Sequence, residues 1–140
     1  MSVQISGDRD GRTFRGDILL VDDDLDLVNS MARILRSRGY SVIQATDGFD
    51  AVELTRKSFP RVVLSDIQMP RLDGIETCRQ IKQSCPNAAV VFMTGYSEFE
   101  QVARNEGALA VLRKPLEIEQ LFDLLESLTD LQDDSAPVGL

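Results

Sequence analysis

The chain has 140 residues, 43% of them apolar, and its 23 acidic against 15 basic side chains give a formal net charge of −8. That is one domain with a sizeable core, and its acidity disfavours direct binding to phosphate backbones or anionic membranes. The complete absence of histidine excludes a Ser/His/Asp triad, an imidazole-ligated zinc site and a phosphohistidine carrier.

Residues 1–16 are polar and aperiodic and are expected to form a flexible arm, as is the tail from residue 131 to 140. The domain then spans 17–130. Its first apolar run, Ile18–Val21, predicts a strand. A helix follows with Leu25, Val28, Ala32 and Leu35 on one face and Gly39 as its stop signal. Val42–Ala45 predicts a second strand, and a helix runs from about Gly48 to Ser58. Val62–Leu64 gives the third strand. Asp73, with Glu76 three residues on, caps a third helix that sets Ile75, Cys78 and Ile81 on one face. Ala88–Met93 gives the fourth strand, and Ser97-x-x-Glu100 has the pattern of a capping box opening the fourth helix. Ala110–Leu112 is the fifth strand, and Ile118, Leu121, Leu125 and Leu128 mark the fifth helix. Mostly unbroken apolar strands alternating with helices predict a three-layer α/β domain on a parallel sheet.

Cys78 and Cys85 fit neither a disulfide framework nor a CxxC pair and are expected to be apolar thiols in a reducing compartment. The apolar runs are far short of a bilayer span, and the first sixteen residues lack a signal-peptide core. A soluble, cytoplasmic protein is the expectation.

Open parallel sheets bind ligands beyond the carboxyl ends of their strands. There the chain places Asp22-Asp23-Asp24, Ser65-Asp66, Thr94-Gly95 and Arg113-Lys114-Pro115. Asp24 is expected to cap the first helix. Crowded carboxylates repel one another unless neutralised, and Mg²⁺ suits a few carboxylates, a carbonyl and several waters. With the Lys114 ammonium and the Thr94 hydroxyl, such a cation would accommodate a phosphoryl group, and Asp66 would be the nucleophile that forms an acyl phosphate.

The segments ILLVDDD (18–24), VVLSDIQMPRLDG (62–74), VVFMTGYSE (90–98) and AVLRKPLE (110–117) resemble the receiver domain of two-component response regulators. The resemblance covers residues 17 to about 130. It implies a flavodoxin-like fold with five parallel strands in the order 2-1-3-4-5 and five helices. It makes Asp66 the phosphoacceptor, Asp23 a direct Mg²⁺ ligand and Asp22 a ligand often acting through water, with Mn²⁺ as a substitute ion. The backbone carbonyl of Gln68 would complete the protein ligands, Thr94 would bond a phosphoryl oxygen, and Lys114 would pair with the phosphoryl group. A cis Lys114–Pro115 peptide, common among relatives, would aim that lysine inward.

The implied role is a signalling switch rather than a turnover enzyme, assisting its own phosphorylation and dephosphorylation. Its partners would be a sensor histidine kinase or histidine phosphotransfer protein and a downstream protein met through the fourth-helix, fifth-strand and fifth-helix face. No direct contact with nucleic acid or membrane is expected, and the switch would be a monomer or weak dimer. Too few residues follow Asp130 for an output domain, although a receiver excised from a larger regulator or hybrid kinase is the alternative. A distant second is a Mg²⁺-dependent aspartyl phosphatase, which would be phosphorylated near Asp22. In two respects the chain departs from the family, the first being that many receivers carry a rotating Tyr or Phe three residues before the lysine, where this chain has Val111, and the second lying at Gln68 and Tyr96. Gln68 and Tyr96 occupy the positions that commonly tune acyl-phosphate lifetime.

Overall fold

The computed structural model describes the backbone of residues 17–69 and 71–138, and side-chain surroundings as far as Leu128. The expected arm over 1–16 lies outside the described residues. Chain order is β1 (Asp17–Val21), α1 (Leu25–Ser37), β2 (Ser41–Ala45), α2 (Gly48–Ser58), β3 (Val62–Asp66) and α3 (Gly74–Ser84). β4 (Ala89–Thr94), a 3-10 turn (Ser97–Phe99), α4 (Glu100–Asn105), β5 (Ala110–Arg113) and α5 (Ile118–Val138) follow. All strand pairs are parallel, in the order β2-β1-β3-β4-β5. This is the flavodoxin-like 2-1-3-4-5 arrangement.

Alternate residues of each strand feed opposite faces, which is why the strands are apolar throughout. Ile18, Leu20, Leu64 and Met93 pack with Val28, Met31, Ala32 and Leu35 of α1 and with Leu121, Phe122, Leu125 and Leu128 of α5. Leu19, Val21, Val63 and Phe92 face the other way, onto Ala51 and Val52 of α2, Cys78 and Ile81 of α3, and Ala103 of α4. Each fully buried Leu or Ile contributes ~2 kcal/mol relative to an exposed one. The two faces together close a three-layer sandwich. Val111 is buried in the second cluster, paired in register with Phe92.

The starts of α1, α2 and α3 are set by carboxylates that accept backbone N–H groups otherwise left without a partner. Asp24 accepts from Leu27, Asp47 from Asp50, and Asp73 from Glu76. Gly39, at φ 94°, ends α1, with its own amide and that of Tyr40 donating back to Arg36 and Leu35.

Three expectations need correction. Leu25 is 57% exposed rather than part of the α1 core face, because it begins the helix beyond the end of the sheet. The Ser97-x-x-Glu100 box does not form: Ser97 lies inside the 3-10 turn, and neither that turn nor α4 has a side-chain cap. The backbone of α5 continues to Val138 where the composition points to an irregular tail. Extending a formed helix by one residue costs far less than starting one, and no Gly or Pro interrupts the chain from Ile118 to Ala136.

Gly74 lets α3 begin against the end of β3. A β-carbon there would run into the Asp66 carbonyl and lie 2.9 Å from Ile67 Cα, both backbone positions that cannot step aside. Gly95 has open space around it. Gly74→Ala is therefore expected to cost about 2–3 kcal/mol in urea unfolding, while Gly95→Ala stays within about 0.5 kcal/mol of the parent. Burial pushes the Cys78 thiol up to about 12, whereas Cys85 is partly exposed. Iodoacetamide at pH 8 should thus alkylate Cys85 in the folded protein and spare Cys78 until denaturant is added, as peptide mass mapping would read out.

Candidate functional site

β1 and β3 are neighbours with Val21 opposite Ser65, so the residues that come next, Asp22 and Asp66, emerge side by side. Asp22 is held by three contacts: its amide donates to the Ala45 carbonyl, one carboxylate oxygen accepts the Asp24 amide at 3.0 Å, and the other takes the Lys114 ammonium at 2.9 Å. It is only 1% exposed. Asp66, 8% exposed, lies 3.4 Å from the same ammonium. Asp23 is exposed, yet its carboxylate turns inward: ligand oxygens of Asp22, Asp23 and Asp66 all lie within 4.8 Å of one another. Carboxylates this close fit a hard divalent cation, and no other group of three or more His, Cys, Asp or Glu among the described residues does so.

The electrostatics reflect that crowding. Burial raises the Asp66 carboxyl above its ordinary value, the Lys114 charge opposes this, Asp22 adds to it, and the Gln68 main chain, hydrogen-bonded to the carboxylate, pulls back. For Lys114, burial alone would depress the ammonium, but its contacts with Asp22 and then Asp66 outweigh burial and hold it above the usual lysine value.

Lys114 arrives from β5, at the sheet edge. Its amide donates to the Thr94 carbonyl at 2.8 Å, and the Lys114–Pro115 peptide is cis. Thr94 itself is buried at the end of β4, next to β3. Its hydroxyl accepts the Tyr96 amide at 3.0 Å and donates to the Tyr96 carbonyl at 3.3 Å. Gln68 is exposed just past β3. Four strand ends thus converge: Asp22, Asp23 and Asp66 lie close together, Lys114 reaches Asp22 and Asp66, Thr94 ends β4 and Gln68 lies on the loop after β3.

Sequence reasoning missed what the second strand contributes. Asp47 caps α2 with one oxygen, and its other oxygen lies 3.7 Å from Arg71. Arg71 has φ 71° and places its guanidinium 4.8 Å from the Phe49 ring centre. Left-handed backbone at an arginine carries no composition signal, so only a structure reveals this brace on the loop after Asp66.

Residues 18–126 match the family described as the response regulator receiver domain. The chain belongs to that family. The receiver is 39% identical to the transcriptional regulatory protein ZraR of Klebsiella oxytoca, over 87% of this chain and 28% of that protein. It is 38% identical to the response regulator MprA of Mycobacterium ulcerans, over 85% of this chain and 53% of that one. The receiver thus spans roughly a quarter to a half of the length of these relatives. Among solved structures, the chemotaxis protein CheY4 of Vibrio cholerae superposes with a TM-score of 0.74 at 27% identity, over 80% of this chain and 97% of that one. NtrX of Brucella abortus does so at 0.81 and 29%, over 90% and 29% of the two chains.

Because Asp66 is raised above 3.8, the folded receiver takes up a proton there that the unfolded chain does not. Its contribution therefore makes the metal-free protein more stable as pH falls through the raised value towards 3.8, and less stable as pH rises. Asp66→Asn is expected to be more stable than the parent at pH 7 without divalent ions, with the difference shrinking towards pH 4. Thermal unfolding across that pH range in EDTA would check it.

Proposed function

We propose that this receiver is a phosphorylation-dependent switch of a two-component system, with Asp66 as acceptor. The observation that carries the proposal is the single ammonium of Lys114 lying against both Asp22 and Asp66, beside a third carboxylate. In the transfer, the bond from phosphorus to the imidazole nitrogen of a partner's phosphohistidine breaks as a bond to an Asp66 carboxylate oxygen forms. Asp22, Asp23, Asp66 and the Gln68 carbonyl would hold Mg²⁺, which when bound neutralises charge on the phosphoryl oxygens. Lys114 follows the phosphoryl group on the Asp66 side, and the Thr94 hydroxyl turns to donate to one of its oxygens. Gln68 orients an attacking water, and Tyr96 shelters the acyl phosphate from it.

The donor would be a sensor histidine kinase or a histidine phosphotransfer protein, and the output a protein contact around α4, β5 and α5. A chain of this acidity is not expected to grip nucleic acid directly, nor is any described helix long and apolar enough to cross a membrane. The greater length of the relatives favours a second reading, in which the same receiver acts as one module of a larger regulator. Phosphotransfer at Asp66 is common to both.

Intact mass after incubation with acetyl phosphate tests the assignment. The wild type should gain one phosphoryl group with Mg²⁺, little with EDTA, and none in Asp66→Ala. Lys114→Ala should slow the gain about a hundredfold, the scale on which a single group aimed at developing charge acts. A gain that persists in Asp66→Ala, mapping to Asp22, would instead favour the aspartyl phosphatase chemistry.

A further inference from the structure

The side of the domain between α3 and α4 is poorly closed. α4 has six residues, of which only Ala103 is buried, and Val102 is 46% exposed. Between the two helices lies a groove of about 700 Å³ with Ile67, Met69 and Ile75 on one wall and Phe99 and Val102 on the other. Ile67 is the residue after Asp66. The groove therefore starts at the acceptor strand and ends on the element that comes after Thr94.

A continuous set of contacts runs from Thr94 to Phe99. The Thr94 hydroxyl holds both the amide and the carbonyl of Tyr96. The Tyr96 carbonyl accepts the Phe99 amide at 3.2 Å, and the Tyr96 ring meets the Phe99 ring edge-on with centres 6.1 Å apart and planes at 83°. If Thr94 turns its proton to a phosphoryl oxygen on Asp66, the hydrogen bond to the Tyr96 carbonyl is lost. The turn that carries Phe99 then loses one of its two ties to Thr94, and neither it nor α4 has a side-chain cap to replace it. On β5, the small and buried Val111 offers no aromatic ring for the same purpose.

The charges around the groove say what it fits. Asp73 and Glu76 line it, and Glu98 and Glu100 flank Phe99 in the chain. The lining guanidinium, Arg79, is already engaged, bidentate on Glu106 at 2.9 and 2.7 Å and on Glu76 at 3.0 Å. An apolar trough with an acidic rim matches an amphipathic helix that carries Leu-type side chains on one face and Lys or Arg beside them.

We infer that the α3–α4 groove is an output surface for a basic amphipathic helix of a partner protein, opened from Asp66 through Thr94, Tyr96 and Phe99. The inference rests on Asp66 being the acceptor. When the phosphoryl group draws Thr94 away, Tyr96 swings off Phe99, and the freed Phe99 face joins Val102 as a docking wall.

The probe is a fluorescein-labelled helical peptide of leucine and lysine, with a leucine and glutamate peptide as control. Both are titrated into the full chain with Mg²⁺, with and without beryllofluoride as phosphoryl mimic, while the Thr94 amide is followed by NMR. The basic peptide should bind about tenfold tighter with beryllofluoride, in the range of ordinary allosteric coupling, and the acidic one should not respond. Val102→Ser should remove the tightening while the Thr94 shift persists. Tyr96→Ala should leave binding equal in the two states. A Thr94 shift with unchanged peptide affinity, or a tightening that survives Val102→Ser, would overturn the inference. No Thr94 shift would overturn the acceptor assignment itself, and the coupling with it.

Discussion

Two carboxylates almost removed from water stand at neighbouring strand ends, and one ammonium lies against both. Buried like charges are costly, and leaving either without its cation is costlier still. Much of the local architecture can be understood as meeting that constraint. Lys114 starts at the edge strand, while Asp22 comes after β1, three strands across; at ~4.8 Å per strand, that is a lateral gap of ~14 Å. The chain after β5 folds back over the sheet end, tied to the Thr94 carbonyl, and the lysine stem covers the remaining distance. Asp22 is further secured by the Asp24 amide, so the first turn of α1 is anchored to the same cluster. On the other side, Gly74 allows α3 to start against the Asp66 backbone, with its amide donating to the Ile67 carbonyl.

The same arrangement separates a rigid half from a loose one. α1 and α5 bury long apolar stripes against one sheet face, and α2 and α3 do so against the other. α4 contributes one buried alanine. Segments with few buried apolar contacts open most readily, so motion in this receiver belongs around α4 and the turn before it. Thr94 sits at the boundary, with its carbonyl holding the lysine loop and its hydroxyl holding the loose turn.

Much of this was legible in the sequence because the strands are buried on both faces. Runs such as Ile18–Val21 and Val90–Met93 are too short for core helices and each ends at a polar residue, and the acidic, hydroxyl and basic residues just past them mark the carboxyl edge of the sheet. Asp73 as a cap and Gly39 as a stop were equally direct, since each states a local backbone requirement. Where the sequence misled, a local pattern was overruled by nearby structure. Ser97 has the chemistry to cap a helix, but the Thr94 hydroxyl had already taken the Tyr96 backbone and tightened the chain into a 3-10 turn. Leu25 has the helical spacing of a core residue, yet spacing does not reveal where the sheet ends. The Arg71 brace on Asp47 and Phe49 depends on a left-handed residue, which no periodicity encodes.

The ammonium and its deeper carboxylate are 92 residues apart in the chain. During synthesis, Asp22 and Asp66 are both made well before Lys114. A growing chain that has finished β4 holds the acidic edge without the charge that reconciles it, and its sheet still lacks an edge strand. Contacts this distant in sequence form late and slowly. The fold therefore completes this edge only in the finished chain: an N-terminal fragment has Asp22 and Asp66 but not the ammonium that lies against both.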